Sequence, residues 1–276
     1  MNFDMNTCWS RAVELVQSNF SLLLIVAAVF LLLPNVALYM LVPDLQNFVD
    51  PTADPEVIAA QMGSVAGPLI GGGFISMALQ FAGYAAMVAL MSDGRPTVAQ
   101  ALGAGVRTVP SLFAVVILFV VMYFLGAMVI IVPLSLLAGL SGSAFVSFIG
   151  VIPILLFVGW LAARCSMSMP VLVLDGTLNP ITALTKSFAL TKPKQWPIMG
   201  FWTVIIVIMI VASLIFTSIF GLVAAFSGSQ LVSALILGLT SGLTGMVYGM
   251  VMCAVAVAMF GQLSGPSAEA IEDTFG

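Results

Sequence analysis

A chain that enters a bilayer must satisfy its backbone N–H and C=O groups internally, and six stretches of this sequence are suited to that environment. They run roughly from Phe20 to Val42, Val65 to Met91, Ser111 to Ala138, Val146 to Leu174, Ile198 to Phe226 and Leu231 to Leu263, and Arg164 is their single charge. About 20 apolar residues in a helix cross a ~30 Å hydrocarbon core. Open strands would leave their edges unpaired in lipid, so the expected fold is all-α: a polytopic membrane helix bundle with six transmembrane helices. Several stretches exceed 25 residues and must tilt, kink or extend past the bilayer, with Pro34, Pro133, Pro153 and Pro170 as kink points.

Composition removes the competing classes. A soluble domain carries about a quarter of its residues as charges. Here 7% are charged, 18 residues in all, against 62% hydrophobic. The sequence has no His, which takes the commonest participant out of acid–base, Ser/His, Cys/His and zinc chemistry. A protein that is not an enzyme and needs no cofactor or metal is expected. Cys8, Cys165 and Cys253 lack C-x-x-C spacing and read as free thiols.

The few charges set an orientation. Arg11, Arg95, Arg107, Lys186, Lys192 and Lys194 fall in the N-terminal segment or in the second and fourth connections, while the first connection holds Asp44, Asp50, Asp54 and Glu56 without a basic residue. The positive-inside rule then places both termini in the cytoplasm. The N-terminal 19 residues include Asp4 and Glu14, and no small-residue cleavage site follows the first span, so that span is expected to stay as an anchor.

The two basic connections align without gaps. Asp93-Gly94 and Asp175-Gly176 are each followed, eight residues after the Asp, by Ala-Leu: Ala101-Leu102 and Ala183-Leu184. Gly at each turn would supply a positive φ. A short amphipathic helix is expected after each turn, capped by Thr97 in the earlier copy and by Asn179-Pro180 in the later one. Ile181, Leu184 and Phe188 form the apolar stripe of the later copy. A more degenerate copy starts at Asp4, with Trp9, Val13, Val16 and Phe20 as its stripe. The expected organisation is one integral membrane domain, residues 1–263, built from parallel units of interfacial helix plus transmembrane hairpin near 4–92, 93–174 and 175–263. An acidic tail, 264–276, would follow in the cytoplasm.

Candidate binding residues are those whose polarity is out of place. Arg164 lies ten residues before the end of the fourth stretch, within the polar run Arg164-Cys165-Ser166-Met167-Ser168-Met169-Pro170. It reads either as a contact for an anion or lipid headgroup, alongside Ser166, Ser168 and Asp175, or as a snorkelling residue. Lys186, Lys192 and Lys194 near Trp196 could touch anionic headgroups or only set topology. Gln80 and Tyr84, four residues apart, line an interior or make interhelical hydrogen bonds. Small residues at close-packing spacing, Gly63, Gly67 and Gly71 in one span and Gly238, Gly242, Gly245 and Gly249 in the last, allow helix approach within the bundle or to a partner membrane protein or second copy. Ser233, Ser241 and Thr244 could instead line a path along the last span.

Two apparent motifs fail on their own chemistry. Gly139-Leu140-Ser141-Gly142 has the form of an intramembrane serine-protease site, but no His exists to activate the serine. The glycines from Gly67 to Gly73 lack the Lys-Ser/Thr of a phosphate loop. No basic patch suited to nucleic acid is present.

Arg164, then Met169-Pro170-Val171-Leu172-Val173-Leu174-Asp175-Gly176, then Ala183-Leu184-Thr185-Lys186-Ser187-Phe188-Ala189-Leu190-Thr191-Lys192 and Trp196, resembles a signature of bacterial six-helix membrane proteins. That group includes YciC-like proteins and the membrane domain joined to some glycerophosphodiester phosphodiesterases. The resemblance covers about 40 residues and implies the six-span plan with an envelope or lipid-related role. It does not imply phosphodiesterase activity, which in that group belongs to a separate soluble domain. The leading expectation is a non-enzymatic protein that binds or moves a lipid or other amphipathic molecule; a scaffold subunit and an ion or solute channel are the alternatives.

Overall fold

The structure, a computed structural model, describes residues 3–42, 55–94, 96–141 and 150–265. Every regular element among them is helical. Helix α1 spans Met5–Ser18 and α2 spans Phe20–Ala27; a π-helical turn, Ala28–Leu32, leads into α3, Leu33–Leu41. Then follow α4, Pro55–Leu90, α5, Val98–Ser141, α6, Val151–Cys165, α7, Ser168–Leu174, and α8, Pro180–Thr191. A 3-10 turn, Lys192–Lys194, joins α8 to α9, Gln195–Ala225, and α10 is Gln230–Ser264.

Six segments are long and apolar enough to cross a membrane: Phe20–Leu41, Ile70–Leu90, Val98–Leu137, Val151–Leu174, Pro180–Ala225 and Gln230–Ser264. They overlie the six expected stretches, so the all-helical multi-pass plan holds. Large apolar side chains such as Ile70, Phe124, Val129, Leu214 and Phe226 are exposed on these helices, which suits a lipid surround and would be costly in water. Arg95, the acidic residues Asp44, Asp50 and Asp54, and the tail residues from 266 onward lie outside the described residues.

The prolines act according to their place in each helix. Pro153 sits in the first turn of α6, where no intrahelical bond needs its missing N–H. Pro170 lies just after the interruption between α6 and α7, and Pro34 follows the π-turn, whose extra residue widens the helix ahead of it. Pro110 and Pro133 lie inside α5 without ending it.

The capping expectations are met. Thr97 and Gln100 form a reciprocal capping box: the Thr97 N–H donates to Gln100 Oε1 at 2.9 Å and the Gln100 N–H donates to Thr97 Oγ1 at 3.4 Å. Asn179 Oδ1 accepts from the N–H groups of Ile181 and Thr182 ahead of Pro180. Asp4 caps α1 through the Asn6 N–H and the Thr7 hydroxyl, which hold its carboxyl below the usual carboxylate range. Two expectations need correction. Val98–Ser141 is one continuous helix of 44 residues, so the second copy has no separate short helix. The later copy is divided by the Lys192-Pro193-Lys194 turn, and α5 has no such element. Gly176 has φ +64°, but Gly94 is not among the described glycines with positive φ, so the two Asp-Gly turns differ in backbone.

The chain forms two compact units, whose borders fall inside helices. One comprises Met1–Arg11, Pro110–Ile206 and Ala256–Gly276. In it the Asp4 N–H donates to Gln262 Oε1 and Gln262 Nε2 donates to the Asp4 carbonyl, both at 3.3 Å, so the first and last described helices are fastened end to end. Phe3 packs edge-on against Phe201 beside them.

The other unit comprises Ala12–Val109 and Val207–Val255. Here glycine replaces side-chain bulk where backbones meet. A Cβ on Gly105 would lie 2.5 Å from the Ala82 carbonyl oxygen, and one on Gly83 would lie 2.5 Å from Phe30 Cβ. Gly238 faces Val36 and Tyr39, Gly242 faces Leu32, and Gly249 faces Leu31 and Tyr84, so these glycines of α10 are covered by α3, the π-turn and α4 of the same chain. Gly245 has only Asn35 Nδ2 nearby, at 3.8 Å from a built Cβ. Among the described residues, nothing lies within 4 Å of a Cβ built on Gly67 or Gly71.

Candidate functional site

Pro170 is the local cause of the site. Its ring crowds the carbonyl of residue 166 and it cannot donate the bond that would continue the helix, so the fourth span breaks after Cys165 and restarts at Ser168. In a low-dielectric surround the backbone groups freed at such a break need other partners. Helix α8, packed against α6 and α7, supplies them. Ser187 Oγ donates to the Arg164 carbonyl at 2.6 Å and accepts from the Met167 N–H at 3.1 Å. One hydroxyl therefore satisfies both edges of the interruption. Ser166 Oγ turns back onto the Ala163 carbonyl at 2.7 Å.

The Arg164 side chain reinforces the same contact. It is 7% exposed; Nη1 donates to Thr191 Oγ1 at 3.2 Å, and Thr191 Oγ1 in turn donates to the Ser187 carbonyl. The guanidinium carbon lies 4.6 Å from the ring centroid of Phe188 and 5.9 Å from that of Trp160. Partly desolvated cation–π contacts of this kind contribute about 1–2 kcal/mol. Trp160 is itself fixed, with Nε1 donating to Gln195 Oε1 at 3.2 Å and its ring edge-on to Phe188. Among the described residues, Arg164 Nε and Ser168 Oγ are buried without a hydrogen-bond partner.

The buried face of α8 is Ala183, Leu184, Ser187 and Thr191. The expected stripe of Ile181, Leu184 and Phe188 is thus rotated: Leu184 points inward, Phe188 lies half-buried under Arg164, and Ile181 is 62% exposed. The hydroxyls are on the inner face because the broken span needs them there, and Ala183 permits the close approach. On the outer side and flanks, Leu178, Ile181 and Trp196 are exposed, as are Lys186 and Lys192. Lys186 Nζ pairs with Asp175 Oδ2 at 3.3 Å, so Asp175 serves the lysine. Among the described residues no ion pair is formed by Arg164. Ser111 Oγ donates to the Leu178 carbonyl at 2.6 Å and ties the turn before α8 to α5.

The candidates therefore fall into two groups. Arg164, Ser166, Ser168, Asp175, Lys186 and Trp196 belong to the unit that holds the break, whereas Gln80 and Tyr84 belong to the other. Gln80 Nε2 donates to Ser76 Oγ at 3.1 Å, and the Tyr84 ring packs on Gly249. Ser187 and Thr191 were not singled out as candidates from sequence. Their signal was a pair of hydroxyls four residues apart on the helix that follows a proline-broken span. Among the described residues, no group of three or more His, Cys, Asp or Glu side chains is placed to hold a metal ion.

Comparison with known proteins finds no matching family model, no matching curated protein and no matching solved structure.

Proposed function

We propose that this is a non-enzymatic, multi-pass protein of the bacterial inner membrane, with both termini cytoplasmic, that binds or moves an anionic amphipathic molecule of the lipid class. The observation that carries the reading is the two-sided character of α8. Its inner face is bolted to the broken span by Ser187, Thr191 and Arg164, while its outer side and flanks leave both apolar residues, Leu178, Ile181 and Trp196, and the lysines Lys186 and Lys192 exposed. Apolar side chains next to lysines suit the boundary between acyl chains and anionic headgroups, where each lysine contributes about 1 kcal/mol of attraction. Arg164 acts in this reading as a positioning residue that holds α8 in place.

Purified protein in nanodiscs containing phosphatidylglycerol and phosphatidylcholine, analysed by native mass spectrometry, tests the reading. The wild type should retain phosphatidylglycerol preferentially, and Lys186→Glu combined with Lys192→Glu should abolish the preference. Equal retention of both lipids by the wild type would overturn it.

A further inference from the structure

The second unit contains polar groups that α8 and Arg164 do not explain. On α10, Ser241, Gly245, Tyr248 and Gly249 recur on one side over about two turns. This side meets polar and aromatic residues of other helices in the same unit. Tyr39 packs against Gly238, three residues before Ser241 on α10. Gly245 stands opposite Asn35, and Gly249, which follows Tyr248 in the chain, stands opposite the ring of Tyr84. Gln80 lies one turn from Tyr84 on α4.

These side chains are half-buried, and their hydrogen-bonding capacity is only partly used. Asn35 Nδ2 donates to the Leu31 carbonyl at 2.6 Å and Gln80 Nε2 to Ser76, and among the described residues no donor reaches either amide oxygen. Among the described residues no hydrogen bond reaches the hydroxyl of Tyr84 or Tyr248. Free hydroxyls and amide oxygens at membrane depth are costly against acyl chains, so they belong where water or a ligand meets them. The π-turn lies within this face, next to Asn35, and such turns recur at functional sites.

The spans that contribute, Phe20–Leu41, Ile70–Leu90 and Gln230–Ser264, contain no charged residue. A charged ligand would have no counter-charge in a low-dielectric surround, whereas phenols, amides and aromatic faces suit neutral hydroxyl groups. We propose that Asn35, Tyr39, Gln80, Tyr84, Ser241 and Tyr248 form a membrane-embedded binding site for an uncharged polyhydroxylated group, either the sugar headgroup of a glycolipid or a free sugar. This goes beyond the α8 reading and depends on none of its residues.

The test uses the full chain in two arms. In the first, nanodiscs carrying monoglucosyl diacylglycerol or plain diacylglycerol are compared by native mass spectrometry. In the second, methyl glucoside is offered to protein in sugar-free nanodiscs and followed by saturation-transfer NMR. Tyr84→Phe combined with Tyr248→Phe keeps the ring on Gly249 and removes only the two hydroxyls. Sugar-dependent binding in either arm, lowered at least fivefold in the double variant, supports the site, and the arm that responds identifies the source. Absence of binding in both arms, equal retention of lipid with and without sugar, or unchanged binding by the double variant overturns it. The Lys186 and Lys192 variants should bind the sugar probe like the wild type, so this result is independent of the anionic-lipid test.

Discussion

The Ser187 hydroxyl lies 2.6 Å from the Arg164 carbonyl oxygen and bridges a break in a membrane span from a neighbouring helix. The Ser187 Oγ also accepts from the Met167 N–H, so one small side chain closes both sides of the gap. Ser187→Ala orphans both groups, and unpaired buried backbone groups or lost interhelical bonds cost roughly 1–3 kcal/mol together. Unfolding in mixed detergent and denaturant should show a destabilisation of that size, with little change in helical content before the transition.

Arg164 fastens the other end of the same contact. Arg164→Ala removes the Thr191 bond and the stacking on Phe188, so α8 should detach more often while the spans stay folded. Limited proteolysis would show faster cutting in the turn at residues 175–179. Arg164→Lys should give only partial protection, because an ammonium lacks the planar face that lies over the ring.

Two glycine substitutions should have opposite outcomes. Gly105→Ala drives a Cβ to within 2.5 Å of the Ala82 carbonyl and must separate two backbones, at a cost of about 1–3 kcal/mol. Gly71→Ala meets nothing within 4 Å and should be neutral or slightly stabilising, since Ala is the better helix former. Thermal unfolding of the two variants in the same detergent checks the contrast.

Cys8 provides the pH dependence. Burial, with a smaller contribution from the Asp4 carboxylate, pushes its thiol up to about 12 from an ordinary value of 9.0. The folded protein favours the protonated thiol, so this contribution to stability is complete below pH 9 and declines as pH rises through 9 toward 12. Maleimide should modify Cys8 slowly at pH 8.5 in the folded protein and quickly after unfolding in sodium dodecyl sulfate.

The spans were legible because length and the absence of charge are sufficient signals in a bilayer: Gln230–Ser264 lies within one residue of the expected stretch at each end. The caps at Thr97 and Asn179 were legible because their chemistry is local. The inner face of α8 was not, because a rule that sends apolar residues inward selects Ile181, whereas the freed backbone at Pro170 required Ser187 and Thr191. The continuity of α5 was hidden because the alignment with the later copy implied a separate short helix, yet the helix runs unbroken from Val98 through Pro110. For the glycines, spacing marked Gly67 and Gly71 as strongly as Gly242 and Gly249, and only the tertiary neighbours distinguish them.

The most direct test of the account is the depth of α8 in a bilayer. Nitroxide labels at Ile181 and at Lys186, introduced singly by cysteine substitution in a background without the three native thiols, report oxygen and nickel-chelate accessibility by electron paramagnetic resonance. The account predicts oxygen-dominated accessibility at position 181, at the boundary of headgroups and acyl chains, and chelate-dominated accessibility at position 186. Equal aqueous accessibility at both positions, or burial of both at mid-bilayer depth, would contradict an interfacial α8 and with it the proposed lipid contact.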